Sequence, residues 1–120
     1  MSVSPAKALL VLAERLEKSL PEKRRAAAEI RRVLPALVEL LVTEFGVRRV
    51  ILFGSLARGL AHSNTDVDLA VEGLVPERYF EALARCSRTV GRNVDIVPLE
   101  EAREDLLRII ETKGEVLFGR

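Results

Sequence analysis

Apolar residues in the first third of the chain recur at helical spacing. Leu9, Leu12, Ala13, Leu16 and Leu20 share one face behind Ser4-Pro5, which reads as an N-cap followed by proline at the first helical position. The pattern predicts a helix to about Ser19, after which Pro21 opens a second helical stretch rich in Ala and Arg. Pro35 lies inside that stretch. A proline there loses a hydrogen bond and clashes with the preceding turn, so it either kinks one long helix or divides two shorter ones. Leu37, Val38, Leu41 and Phe45 continue the apolar face, and Gly46 is the expected end.

The period then changes. Val47 to Phe53 is apolar and β-branched, as in a buried strand, and GSLARG follows as a turn. From Asp66 to Glu72, Val67, Leu69 and Val71 alternate with Asp66, Asp68 and Ala70, which predicts a second strand closed by Gly73. Pro76 starts a helix to about Arg88, with Phe80, Leu83 and Ser87 on one side. RNVDIVP reads as a third strand. Glu100 to Lys113 reads as a last helix, acidic at its start and basic at its end, which complements the helix dipole. Gly114 is its expected cap, and EVLFG adds a short edge strand. Together these predict an α+β (α/β-like) domain on a small mixed sheet with helices packed on it and an extra N-terminal helix. Residues 1–34 read as a helical extension and 35–120 as the core domain, in one compact unit overall.

Composition narrows the function classes. A chain of 120 residues is the size of one domain, and 48% hydrophobic content is enough for a core. A net charge of +1 argues against coating nucleic acid through bulk charge and against nucleic acid as a direct ligand. The single cysteine, Cys86, allows no internal disulfide, which suits a reducing compartment. The apolar run Ala8 to Ala13 stops at Glu14-Arg15, too short to cross a bilayer. A cytoplasmic protein without a membrane partner is expected.

Three acids stand in apolar surroundings. Asp66 and Asp68 are two residues apart on one strand, so both carboxylates aim at one place. Close negative charges repel unless a cation lies between them, and a hard ion such as Mg²⁺ needs only a few protein carboxylates when substrate phosphate completes its shell. An isolated Asp-x-Asp is more often the solvated side of an edge strand. Two neighbours alter that balance. Gly54-Ser55 directly follows a buried strand, where glycine admits close backbone approach and a helical first turn offers free N–H groups to an anion. Arg58 adds positive charge. Asp95 is a third acid, flanked by Val94 and Ile96, and can complete the cluster if its strand lies beside the second.

Gly54-Ser55, ten intervening residues and then Asp66-Val67-Asp68 resembles the signature of the DNA polymerase β-like nucleotidyltransferase superfamily. GSLARG with TDVDLAV is most similar to its MNT (minimal nucleotidyltransferase) branch, over roughly Leu37 to the C-terminus, including Asp95 in NVDIVPLEEA. Thr65 stands where the family often has Ser, and keeps the hydroxyl. Leu56 and Leu60 are apolar where polar residues are frequent. The resemblance implies a polymerase β-like fold and two Mg²⁺ ions that help move a nucleoside monophosphate from an NTP, AMP from ATP in this branch, onto a hydroxyl. It implies that Asp66 and Asp68 hold both ions and that Asp95 completes the ion site nearest the attacking hydroxyl. It implies that the Gly54 N–H and Ser55 grip the β- and γ-phosphates. Arg58 either offsets triphosphate charge or pins the turn with a salt bridge.

The acceptor is not written in these motifs. Larger relatives carry a further domain for a sugar, an antibiotic or an RNA end, and this chain is too short for one. The MNT resemblance implies an antitoxin that modifies a tyrosine of a HEPN-type toxin, in a hetero-oligomer with it. The alternatives are a small-molecule or nucleic-acid-end acceptor, and a non-catalytic antitoxin that masks its toxin. Leu9, Leu12 and Leu16 serve either partner binding or packing on the chain's own sheet, and packing is the favoured reading. A solvated role is favoured for His62 and for the basic run Lys23, Arg24, Arg25, Arg31 and Arg32. Cys86 is expected half in the core.

Overall fold

The computed structural model describes residues 4–62 and 64–120; the side chains of residues 16–18, and so the expected place of Leu16, lie outside the described residues. Helix α1 (Pro5–Arg31) starts as the sequence predicts, with Ser4 Oγ accepting the Lys7 N–H at 3.3 Å and Pro5 in the first turn. It does not stop at Ser19. It continues through Pro21 for 27 residues. Good helix formers on both sides outweigh one lost hydrogen bond, and Ala27 and Ile30 hold the C-terminal half on the body. The break comes at Arg32–Val33. Helix α2 (Leu34–Phe45) follows with Pro35 in its first turn, where a missing N–H costs nothing. Pro35 therefore divides two helices rather than kinking one.

Strands β1 (Arg49–Phe53), β2 (Val67–Glu72), β3 (Val94–Pro98) and β4 (Glu115–Phe118) form one mixed sheet in the order β3-β2-β1-β4. β1 pairs antiparallel with β2 and β4, and β2 pairs parallel with β3 through the crossover helix α3 (Tyr79–Val90). One face carries Val50, Leu52, Val67, Leu69, Val71 and Ile96. It packs on α2 through Leu37, Leu41 and Phe45, on α3 through Ala82 and Cys86, and on α1 through Ala27 and Ile30. The other face carries Ile51 and Ala70 under Ile110 of helix α4 (Glu104–Lys113), flanked by Phe53, Leu99 and Leu106. Strand alternation puts Asp68 and Asp95 on this second, thinly covered face, and Asp66 lies directly before β2, which begins at Val67 rather than at Asp66.

Several expectations change. α4 begins at Glu104, not Glu100, because Leu99–Glu101 form a separate 3-10 turn. The Glu100 carboxylate accepts the Gly73 N–H at 2.8 Å, which ties that turn to the end of β2. Phe80 is 80% exposed, while α3 buries Ala82 and Cys86. Cys86 is wholly rather than half buried, and burial pushes its thiol up to about 11. The packing role expected of the first half of α1 also fails. Leu9 and Leu10 are each 66% exposed and Leu12 is 53% exposed. A helix of 27 residues is about 40 Å long, whereas the shorter dimensions of the molecule are 30 and 24 Å. Its front half therefore projects.

The chain passes directly from α4 into β4 at Gly114. Its backbone is extended, so glycine is needed there for space: a Cβ would lie 2.6 Å from Ile51 Cγ2 and 3.2 Å from the Leu52 carbonyl oxygen. Gly114→Ala is expected to cost about 2–3 kcal/mol, seen as a fall of about 10 °C in the melting temperature. An unchanged melt would contradict this packing.

Candidate active site

β1 ends where Gly54 turns the chain with φ 78°. Residues 55–59 then make a single helical turn: the Arg58 N–H donates to the Ser55 carbonyl at 3.1 Å and the Gly59 N–H to the Leu56 carbonyl at 3.0 Å. Leu56 is fully buried in the main core, which explains an apolar residue in this turn. The N–H groups of Ser55, Leu56 and Ala57 donate to nothing among the described residues, as in the first turn of a helix.

The loop from this turn to β2 is built around Thr65, which is buried. Thr65 Oγ1 accepts the His62 N–H at 2.7 Å, and the Thr65 N–H returns to the His62 carbonyl at 3.1 Å. The Arg92 guanidinium donates to the Thr65 carbonyl at 2.9 Å, directly before Asp66. Thr65 and Arg92 thus hold the entry to β2. The only sequence signal for Arg92 is its place three residues before Asp95.

The parallel register sets Asp68 beside Asp95, on strands about 4.8 Å apart. On its other side Asp68 faces Phe53 of β1. Asp66 precedes it by two residues, just ahead of the strand, close enough for its charge to act on Asp68. Asp68 is half-buried, whereas Asp66 and Asp95 are exposed. Burial first, then the charges of Asp95 and Asp66, raises the Asp68 carboxyl above its ordinary 3.8. Gly54 abuts the same group: a Cβ there would lie 2.5 Å from Asp68 Oδ2. The Tyr79 hydroxyl donates to the Ile96 carbonyl at 2.7 Å and pins β3 next to Asp95. Burial, then Asp95 and Glu101, raises the Tyr79 pKa.

The three predicted acids and Gly54-Ser55 thus meet at one end of one sheet face. Arg58 is exposed and makes no ion pair among the described residues, so the salt-bridge reading of it fails. Lys23 is half-buried instead of lying on a solvated face, and Arg31 pairs with Glu115. Burial first, and the charges of Asp95 and Asp66 second, raise Asp68, and among the described residues no three His, Cys, Asp or Glu side chains converge into a metal cage. That donor set suits Mg²⁺, which takes few protein carboxylates and leaves positions for phosphate oxygens, and does not suit a metal caged wholly by protein.

Residues 36–120 match the family described as Polymerase beta, Nucleotidyltransferase. The protein adenylyltransferase MntA of Shewanella oneidensis is 32% identical over 73 residues, 58% of this chain and 52% of that protein. The chain thus spans about half the length of this relative. A crystal structure of a toxin–antitoxin with AMP-PNP matches with a TM-score of 0.64 at 27% identity, over 71% of this chain and 73% of that one. A mutant of the toxin–antitoxin MntA–HpeT matches with a TM-score of 0.65 at 27% identity, over 72% of each chain.

Proposed function

The chain belongs to the polymerase beta nucleotidyltransferase family, and from that premise we propose that it is a Mg²⁺-dependent enzyme that transfers AMP from ATP to a tyrosine of a HEPN-type toxin and so acts as its antitoxin in the cytoplasm. The single observation that carries this reading is the Asp68–Asp95 register with Asp66 and Gly54-Ser55 at the same corner. The adenylyltransferase relative and the toxin–antitoxin structure with the ATP analogue AMP-PNP support the donor and the partner. Among the described residues no helix is long and apolar enough to cross a membrane.

Asp66 and Asp68 would hold two Mg²⁺ ions, with Asp95 as the further carboxylate ligand. Bound there, they would supply positive charge to offset the triphosphate and the charge that develops during an in-line displacement. The Ser55 hydroxyl and the free N–H groups of its turn bind the β- and γ-phosphates, with Gly54 letting the backbone approach them. Arg58, which has no ion pair to give up, offsets their charge. The tyrosine oxygen bonds to the α-phosphorus as the bond to the β-phosphate oxygen breaks and pyrophosphate leaves. Asp95, exposed at the rim, takes the tyrosine proton. Residues 1–34 are an extension to a catalytic unit of residues 35–120, a division supported by the helix break at Arg32–Val33.

The test mixes the full chain with labelled ATP, Mg²⁺ and the protein encoded beside it. Label is expected on a partner tyrosine, and none with EDTA or with Asp66→Asn. Label that needs no partner protein would point to another acceptor. A toxin silenced equally well by Asp66→Asn/Asp68→Asn would overturn catalysis in favour of masking.

A further inference from the structure

Lys23 is out of character for the face of α1 that carries it. Leu20, Lys23, Ala27 and Ile30 follow at spacings of three and four, one stripe of the helix. Ala27 and Ile30 are buried on the body, and Lys23 is half-buried where an apolar residue would continue the stripe. At this point α1 meets the loop after β1: the Lys23 carbonyl accepts the Ala61 N–H at 3.1 Å. Lys23, Ser55, Arg58 and His62 line a recess of about 200 Å³ that has no acidic residue in its wall. Neither Lys23 nor Arg58 has an ion-pair partner among the described residues. His62 Nδ1 accepts the Asn64 N–H at 3.1 Å, so in the neutral ring Nε2 carries the proton and is a further donor.

Clefts that take whole organic ligands run to about 300–1,000 Å³. This recess is too small for a nucleotide but has room for phosphate groups. Two cations, a hydroxyl and an imidazole N–H without an opposing acid make anion-binding chemistry, next to the turn whose N–H groups are free. We infer that Lys23 binds the terminal phosphates of the nucleotide and the pyrophosphate formed from them, so that α1 completes a pocket begun by the catalytic unit. This rests on the nucleotidyltransferase reading, and it assigns a role to a residue outside the family match, which begins at residue 36.

The test is calorimetric titration of the full chain with inorganic pyrophosphate and Mg²⁺. Lys23→Met is expected to bind about ten-fold more weakly than wild type, and Lys23→Arg within about three-fold of it. In transfer assays Lys23→Met should raise the KM for ATP about ten-fold and leave kcat within about two-fold. Its melting temperature should not change. Equal pyrophosphate affinity in wild type and Lys23→Met overturns the inference. So does a loss that Lys23→Arg fails to rescue and that accompanies a lower melting temperature. Failure of the nucleotidyltransferase reading looks different: wild type transfers no nucleotide while the titrations still separate it from Lys23→Met.

Discussion

Asp68→Asn is expected to melt higher than wild type in EDTA at pH 7, by about 2–4 °C, and to lose transfer in Mg²⁺ at least about 1,000-fold, about 4 kcal/mol in the barrier. The two effects have one cause. Without a cation, Asp68 is held half-buried between Asp95 and Asp66, and its carboxyl is raised above 3.8 by burial first and by those charges second. An acid raised in the folded state binds its proton more tightly there than in the unfolded chain. The penalty is therefore fully present above the raised value and fades as pH falls through it toward 3.8. The gap in melting temperature between variant and wild type should close across that window. Partial exposure screens the repulsion, which keeps the gain to a few degrees. Added Mg²⁺ should raise the melting temperature of wild type but not of the variant. A variant that melts lower than wild type in EDTA at pH 7 would refute this account.

Gly54→Ala should abolish transfer as completely as Asp68→Asn, with the opposite effect on stability. The new methyl group meets Asp68 Oδ2 at 2.5 Å and Asp68 Cγ at 3.4 Å, and the φ of 78° strains any L side chain. Backbone strain alone costs about 1–2 kcal/mol, and the carboxylate must also leave its place. Gly59 separates the two contributions. Its φ is 76°, but a Cβ there meets nothing within 4 Å, so Gly59→Ala should show strain without the loss of transfer. A double-mutant cycle completes the test. In an Asp68→Ala background Gly54→Ala should cost about as much stability as Gly59→Ala does in wild type. A full cost in that background would place the clash elsewhere.

Much of the geometry of the candidate site is legible in the sequence because its signals are local. Alternation around Asp68 marks a strand, though it sets the start at Asp66, one residue before β2 begins, and Gly54-Ser55 marks a turn after a buried strand. The sequence leaves two roles open for Arg58, since its freedom from an ion pair depends on which acids surround the folded turn. The run of Lys23, Arg24 and Arg25 predicts a solvated face, yet Lys23 is half-buried. Its neighbours in sequence are basic, whereas in the fold it is tied to Ala61 and shares a recess with Ser55 and His62. Thr65 and Arg92 were invisible as a pair, because their hydrogen bond joins residues 27 apart.

By itself the sequence determined the order of the elements, the mixed sheet that they imply and the three acids, because side-chain period and turn chemistry act between adjacent residues. It also determined that Pro35 interrupts a helix, though not that Pro21 fails to. Tertiary structure alone decided the continuity of α1, the exposure of Leu9 and Leu12, the late start of α4 and the pairing of Asp68 with Asp95. Each of these depends on contacts between distant segments. The register of a parallel pair is set by the packing of the intervening helix, and a helix outlasts a proline when its remaining turns and its seat on the body outweigh the lost bond.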